Sequence, residues 1–161
     1  MRPTKIHVAG HLLLLSTFFA GADIAVAGSA PRVDLLRPDE IMRDCGCNFQ
    51  LANSGGPSTS SDGTFLQWDT EDNALMRING NLVKLRASHV QSGMRGGVPA
   101  IGDKDVFRLH GGGTEVLVSC KTTQVCAPED DSCESTAYAA KVLVKTSGGK
   151  TALNATGACG C

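Results

Sequence analysis

Two Cys-Gly-Cys segments constrain the fold of this chain more than any other feature. One contains Cys45 and Cys47, and the other contains Cys159 and Cys161. In a strand, residues i and i+2 point to the same face, so each segment offers two sulfurs on one side. In one antiparallel register Cys45 lies opposite Cys161 and Cys47 lies opposite Cys159, at Cα separations of roughly 4.5 to 5.5 Å that suit disulfides. The first and last strands of the domain are therefore predicted to be neighbours.

Three kinds of chemistry fit these four sulfurs. The first is structural, with the disulfides Cys45–Cys161 and Cys47–Cys159 joining the two ends of the domain. The second is a four-thiolate site in which Cys45, Cys47, Cys159 and Cys161 bind Zn²⁺ or Cu⁺, since soft sulfur ligands select these metals. The third is thiol–disulfide exchange by a strained bridge within one segment. We take the structural disulfides as the leading hypothesis, because zinc sites usually have two residues between paired cysteines and no thioredoxin-like pattern is present.

The other three of the seven cysteines occur between the two segments. Cys126 and Cys133 flank a short polar stretch, so a disulfide between them would hold the connection between two strands. Cys120 alternates with Val116 and Val118 and is expected to point inward as a free, buried thiol. Pairing of Cys120 with Cys126 or Cys133 is an open alternative.

The N-terminal residues 1–27 have the pattern of a cleavable signal peptide. Arg2 and Lys5 precede an apolar run over residues 8–22, and small residues allow cleavage after Ala27 or after Ala22. The apolar run is shorter than the ~18 residues that a membrane-spanning helix needs. The chain is therefore predicted to be exported, to the bacterial periplasm or as a secreted protein, with no stable membrane span after cleavage. Thiols tend to pair in such oxidising compartments.

The clearest local structure signal is the dipeptide Asn79-Gly80. It favours the positive φ angles of a type I′ turn, which joins two strands of a β-hairpin. The turn pairs Ile78 with Asn81, and the alternation on both sides then separates an apolar face from a charged face. The predicted inward face consists of Ala74, Met76, Ile78, Val83, Leu85 and Ala87, and the predicted outward face includes Leu75, Arg77, Leu82, Lys84 and Arg86.

Similar alternation recurs in short runs separated by glycine-rich or polar stretches. Strands are predicted at 115–121 and 138–145, with a final strand over 151–161, and loops at 53–63 and 92–105. The fold class is therefore all-β, a small disulfide-stabilised antiparallel sandwich or barrel of about seven or eight short strands. Residues 28–44 are predicted to be a flexible leader, and residues 45–161 a single β domain.

Composition limits the function classes. The formal net charge is −1, which gives no electrostatic basis for binding nucleic acid or anionic lipid. No nucleotide-binding or hydrolase motif is present, and we assign no catalytic residue. The leading hypothesis is an exported, periplasmic, non-enzymatic structural or binding protein of the cell envelope, without a cofactor and with a protein or small ligand as its partner. The alternatives are a zinc or copper protein and a thiol–disulfide redox protein.

Overall fold

A computed structural model describes residues 28–52, 63–93, 98–127 and 133–161. The predicted signal peptide, residues 1–27, lies outside the described residues, as do residues 53–62 of the predicted loop. No helix in the described ranges is long and apolar enough to cross a membrane.

The regular secondary structure of the described residues is β-strand, apart from one 3-10 turn at Pro38–Glu40. The strands are, in chain order, β1 (Val33–Asp34), β2 (Gly46–Leu51), β3 (Thr64–Asp69), β4 (Asn73–Ile78), β5 (Asn81–Gln91), β6 (Lys104–Gly111), β7 (Thr114–Gln124), β8 (Ser135–Thr146) and β9 (Gly149–Gly160).

Eight of these strands close into an antiparallel barrel. Neighbours follow the order β4-β3-β2-β9-β8-β7-β6-β5, and β5 pairs in turn with β4, which completes the circle. The short β1 adds to β4 outside the circle. The predicted all-β, disulfide-stabilised class is confirmed, and the structure is a barrel rather than a sandwich. Closure leaves the eight strands without an exposed edge, which removes a common route to aggregation.

The hairpin at Asn79-Gly80 is confirmed in its register. Ile78 lies opposite Asn81, and Ala74 lies opposite Leu85. Asn79 and Gly80 have φ angles of 52° and 81°, as a type I′ turn requires. All six residues of the predicted inward face belong to the hydrophobic core or pack against it. A slip by one residue would turn Lys84 inward, so the burial pattern holds the register.

The barrel interior is filled by alternate residues of every barrel strand. Val116 and Val118 of β7 and Val142 and Val144 of β8 are at most 1% exposed. Three aromatic side chains meet in one row: the ring centroids of Phe49 and Trp68 are 5.2 Å apart, as are those of Trp68 and Phe107. Aliphatic side chains from the other strands pack around this row.

Gly157 of β9 makes room for the Phe49 ring. The two residues lie opposite each other across β9 and β2. A Cβ atom at position 157 would lie 2.7 Å from Phe49 Cε1 and 2.6 Å from the carbonyl oxygen of Asn48. The core therefore needs glycine here because of space and not because of an unusual backbone angle.

Part of residues 28–44, the predicted flexible leader, packs along the barrel. Val33 and Asp34 pair with Ile78 and Arg77 of β4, and Leu36 is only 7% exposed. The physical reason lies in β3, whose outward Phe65 is fully buried and needs a cover. A strand that is apolar on both faces must be covered on both faces.

Polar contacts hold the same segment in place. The side chain of Gln67 donates to the Glu40 carbonyl oxygen at 2.7 Å and accepts from the Met42 amide at 3.1 Å. Arg77 points outward, as predicted, but it is not solvated. It forms an ion pair with Glu40, and both side chains are only about a tenth exposed. Arg77 also donates to the Gly80 carbonyl oxygen.

Several strands are longer than the alternation indicates. β8 begins at Ser135 rather than at residue 138, and β6 begins at Lys104 within the predicted 92–105 loop. In both cases a partner strand supplies the missing hydrogen bonds. Ser135 pairs with Gly160, and Lys104 pairs with Lys121. Polar residues extend these strands because the neighbouring strand offers donors and acceptors that local sequence does not reveal.

Candidate functional site

The two Cys-Gly-Cys segments lie side by side in the barrel wall. β2 and β9 pair with Gly46 opposite Gly160 and Cys47 opposite Cys159. Disulfides join Cys45 to Cys161 and Cys47 to Cys159, with Cα–Cα distances of 4.2 and 4.0 Å. Both ends of the domain are thus tied to each other by two covalent bonds.

The central glycines of these segments are required by their neighbours. A Cβ atom at Gly46 would overlap the carbonyl oxygen of Trp68 on β3, and one at Gly160 would overlap the carbonyl oxygen of Glu134. Any side chain at either position would push the adjacent backbone away. The Cys-Gly-Cys pattern therefore combines two sulfurs on the inner side with close backbone packing on the other.

A third disulfide lies at the same end of the barrel. Cys126 follows β7, Cys133 precedes β8, and a bond joins them with a Cα–Cα distance of 5.4 Å. We call the end of the barrel where β2 begins and β9 finishes the stapled end, defined by Cys45–Cys161, Cys47–Cys159 and Cys126–Cys133. The connection across residues 128–132 lies outside the described residues.

Cys120 is a free cysteine on the inner face of β7, and it is 3% exposed. Burial, and to a smaller extent the nearby Asp105 carboxylate, together raise the pKa of its thiol to about 12. Only the thiolate is a strong nucleophile or metal ligand. Cys120 therefore stays a neutral thiol near pH 7 and is poorly suited to catalysis or disulfide exchange.

Asp105 lies opposite Cys120 and anchors a buried polar group of residues near the stapled end. Its side chain is 1% exposed, and its Oδ1 atom lies 3.3 Å from His89 Nε2 and 3.4 Å from the Gly93 amide. Among the described residues, the buried Asp105 Oδ2 and Thr122 Oγ1 have no hydrogen-bond partner. Asp105 was not among the predicted site residues, although its alternation with Phe107 and Leu109 indicates that its side chain points inward.

Tyr138 completes this inner polar cluster, which we define as Asp105, Cys120, Thr122 and Tyr138. Burial raises the pKa of the Tyr138 hydroxyl, and the negative charge of Asp105 adds to the effect. The cluster thus holds one acid among neutral polar groups. His89 lies beside the carboxylate of this cluster, but in the part of the chain that the structure describes no activated nucleophile accompanies the pair.

The residues suggested as metal ligands are bonded to each other in this structure. The sulfurs of the four terminal cysteines form two disulfides, so they present no thiolates to Zn²⁺ or Cu⁺. Within the described ranges, no group of three or more His, Cys, Asp or Glu side chains could hold a metal ion.

The outer surface of β6, β7, β8 and β9 carries a groove of about 540 Å³. We call it the lysine groove. Its lining includes Lys104, Lys121, Lys141, Ala139, Asn154 and Thr156. The strand register explains this set, because Lys104, Lys121, Ala139 and Thr156 are successive neighbours across β6, β7, β8 and β9.

Positive charge in the lysine groove is not neutralised by the described residues. Lys104 and Lys121 are direct cross-strand neighbours, and like charges so placed repel each other. The ion pairs of the outer face lie further along the strands, where Glu115 Oε2 is 3.5 Å from Lys145 Nζ and Glu115 Oε1 is 3.6 Å from Arg108 Nε. No acidic side chain of the described part pairs with the three groove lysines.

No protein-family model matches this chain, and no curated protein or solved structure shows significant similarity to it. The fold and the disulfides define its class: a disulfide-bonded, eight-stranded antiparallel barrel suited to an oxidising compartment.

Proposed function

We propose that this chain is an exported, non-enzymatic binding protein of the cell envelope that works in the bacterial periplasm. The observation that carries the proposal is the pair of disulfides joining β2 to β9, Cys45–Cys161 and Cys47–Cys159. Such bonds persist in oxidising compartments and are rare where glutathione and thioredoxin keep thiols reduced. They also restrict the unfolded chain and hold the barrel closed.

The alternatives fit the structure less well. A metal protein would need thiolates at the four terminal positions, where the structure has disulfides. A redox protein would need an accessible thiol of low pKa, whereas burial raises the pKa of the Cys120 thiol to about 12. A binding role needs only a rigid framework and a recognition surface, and the barrel with its lysine groove supplies both.

The test is the redox state of the cysteines in the exported protein. The protein is purified from its own host without reductant and studied by native mass spectrometry, with iodoacetamide labelling before and after denaturation. We expect the mass of a chain beginning at Gly28 with three disulfides and no metal adduct. We also expect no label in the folded protein and one label after unfolding, at Cys120.

The control variant is C120A, which should take up no label even when unfolded. A spectrum showing bound zinc or copper with at most one disulfide would overturn the proposal in favour of a metal site. A terminal disulfide that opens in mild reductant while the barrel stays folded would favour redox chemistry instead. Retention of residues 1–27 in the purified protein would contradict export by signal cleavage.

A further inference from the structure

We propose that the lysine groove binds a phosphorylated amphiphile, a molecule with a phosphate monoester head group and a short alkyl body. The inference rests on the proposed binding function and names the site and the ligand class. It starts from the charge of the groove, where Lys104, Lys121 and Lys141 meet without an acidic partner in the described residues.

The arrangement of the lysines costs stability when the groove is empty. Lys104 and Lys121 are directly opposed on β6 and β7. Ala139 of β8 pairs with Lys121, and Lys141 lies two residues beyond Ala139 on the same strand. Like charges at opposed positions destabilise a sheet. A bound anion attracts all three ammonium groups and screens their mutual repulsion. Relief of this repulsion therefore adds to the free energy of anion binding.

The floor of the groove favours an apolar body. Ala52 and Ala139 line it together with Thr156 and the backbone of the sheet. Lysine side chains add their aliphatic stems while keeping the ammonium groups at the rim. A volume of about 540 Å³ is in the usual range for small-molecule sites, which combine a mainly apolar lining with a few polar groups.

Phosphate matches the head-group position better than carboxylate. Lys121 lies opposite Ala139, Lys141 lies two residues further along β8, and Lys104 lies on the far side of Lys121 on β6. Lysine side chains are long and flexible, so their ammonium groups can reach one head group above this part of the sheet. A phosphate monoester carries about −1.5 to −2 charges near pH 7 and three acceptor oxygens, whereas a carboxylate carries one charge and two oxygens. Lysine also suits phosphate as a mobile point charge.

The binding experiment uses the disulfide-intact protein and decyl phosphate below its micelle concentration. Binding is followed by calorimetry and by amide chemical shifts. We expect saturable binding that weakens with salt and shifts centred on Ser119–Lys121 and 139–141. Three probes separate the contributions of the phosphate head group and the alkyl body. Inorganic phosphate lacks the alkyl body, decanoate has a carboxylate in place of the phosphate, and octyl glucoside has an uncharged head group. Each should bind about tenfold more weakly or worse.

Two variants test the site without altering the core. K104Q/K121Q/K141Q should weaken decyl phosphate binding by about tenfold or more, because three exposed charge pairs are lost. The matched control K84Q/K145Q/K150Q removes the same charge outside the groove and should bind as wild type does. A139E places a carboxylate among the lysines. It should abolish binding and raise the urea midpoint, so lost binding cannot be attributed to unfolding.

Each of several outcomes would overturn the ligand assignment. Absence of saturable decyl phosphate binding, equal binding of decanoate or octyl glucoside, or wild-type affinity in K104Q/K121Q/K141Q would each do so. Mass spectrometry of the same sample separates this failure from that of the proposed function. A protein with three disulfides that does not bind decyl phosphate contradicts only the groove inference, whereas free terminal thiols contradict the broader proposal.

Discussion

Removal of the terminal disulfides should reveal strong coupling between them. The double-mutant cycle compares the unreduced wild type with C45A/C161A, with C47A/C159A and with the variant lacking both bonds. Each bond joins residues more than a hundred positions apart, 116 for one pair and 112 for the other. The two bonds are nevertheless neighbours, because their cysteines are separated by single glycines.

The magnitude follows from loop closure. In the chain-entropy model, a disulfide closing a loop of this length stabilises the fold by about 5 kcal/mol. Once either bond exists, the other closes only a small ring of about six residues, for which the same relation gives about 2 kcal/mol. Loss of one bond should therefore cost about 2 kcal/mol, whichever bond is removed, and loss of both should cost about 7 kcal/mol.

The assay is urea denaturation of the unreduced proteins, followed by the fluorescence of Trp68, the only tryptophan. The control removes Cys126–Cys133, whose loop is short and separate, so its cost of about 2 kcal/mol should add to either single removal. If each terminal bond alone cost about 5 kcal/mol, or if the two costs simply added, the loop-closure explanation would be wrong.

Three further predictions concern single residues. Gly157→Ala should lower the free energy of unfolding, measured by urea denaturation, by about 1 to 3 kcal/mol, because the added methyl group overpacks against Phe49. A matched control, A158G, adds no atoms to the core and should not show this overpacking loss. The pKa of the Cys120 thiol is about 12 in the fold and 9.0 in the unfolded reference. Up to about 4 kcal/mol of folding stability should therefore be lost as pH rises from 9 to 12. C120A should remove this component of alkaline unfolding. Hydrogen bonds from the Asn73 side chain, then from backbone amides, lower the pKa of Asp69. The stability that these bonds give is present above the ordinary pKa of the carboxyl group and is lost as pH falls through the lowered value. The free energy of unfolding of D69N should therefore fall less steeply with acid than that of wild type.

Much of the fold could be predicted from local patterns in the sequence. Asn79-Gly80 encodes a turn, and the alternation around it encodes which side chains point inward, so the hairpin register follows from about a dozen residues. The single-glycine spacing of the cysteines likewise encodes a register for strands distant in the chain, and the disulfides of the structure follow that register. In both cases the pairing register of two strands follows from the spacing of a few residues in the sequence.

Contacts between segments that are distant in the sequence could not be predicted from these local patterns. Arg77 looks like a solvated outward residue because its own strand alternates cleanly, yet Glu40 covers it from a segment that lacks any strand pattern. The lysine groove was equally hidden, since Lys104, Lys121 and Lys141 become neighbours only when the order of β6, β7 and β8 is known. A net charge of −1 gives no sign of a positive patch.

The position of the disulfides relative to the lysine groove links stability to binding. Cys126–Cys133 ties β7 to β8, the strands that carry Lys121 and Lys141, and Cys47–Cys159 ties β9 to β2. Two of the groove strands, β7 and β8, are therefore covalently linked at the nearby stapled end, and strand pairing holds Lys104 of β6 beside Lys121. Lys121 and Lys141 cannot move apart by separation of their strands, so their mutual repulsion is retained until an anion binds. A rigid, preorganised site loses little conformational entropy on binding, and this is the physical reason to expect the same bonds both to close the barrel and to support recognition.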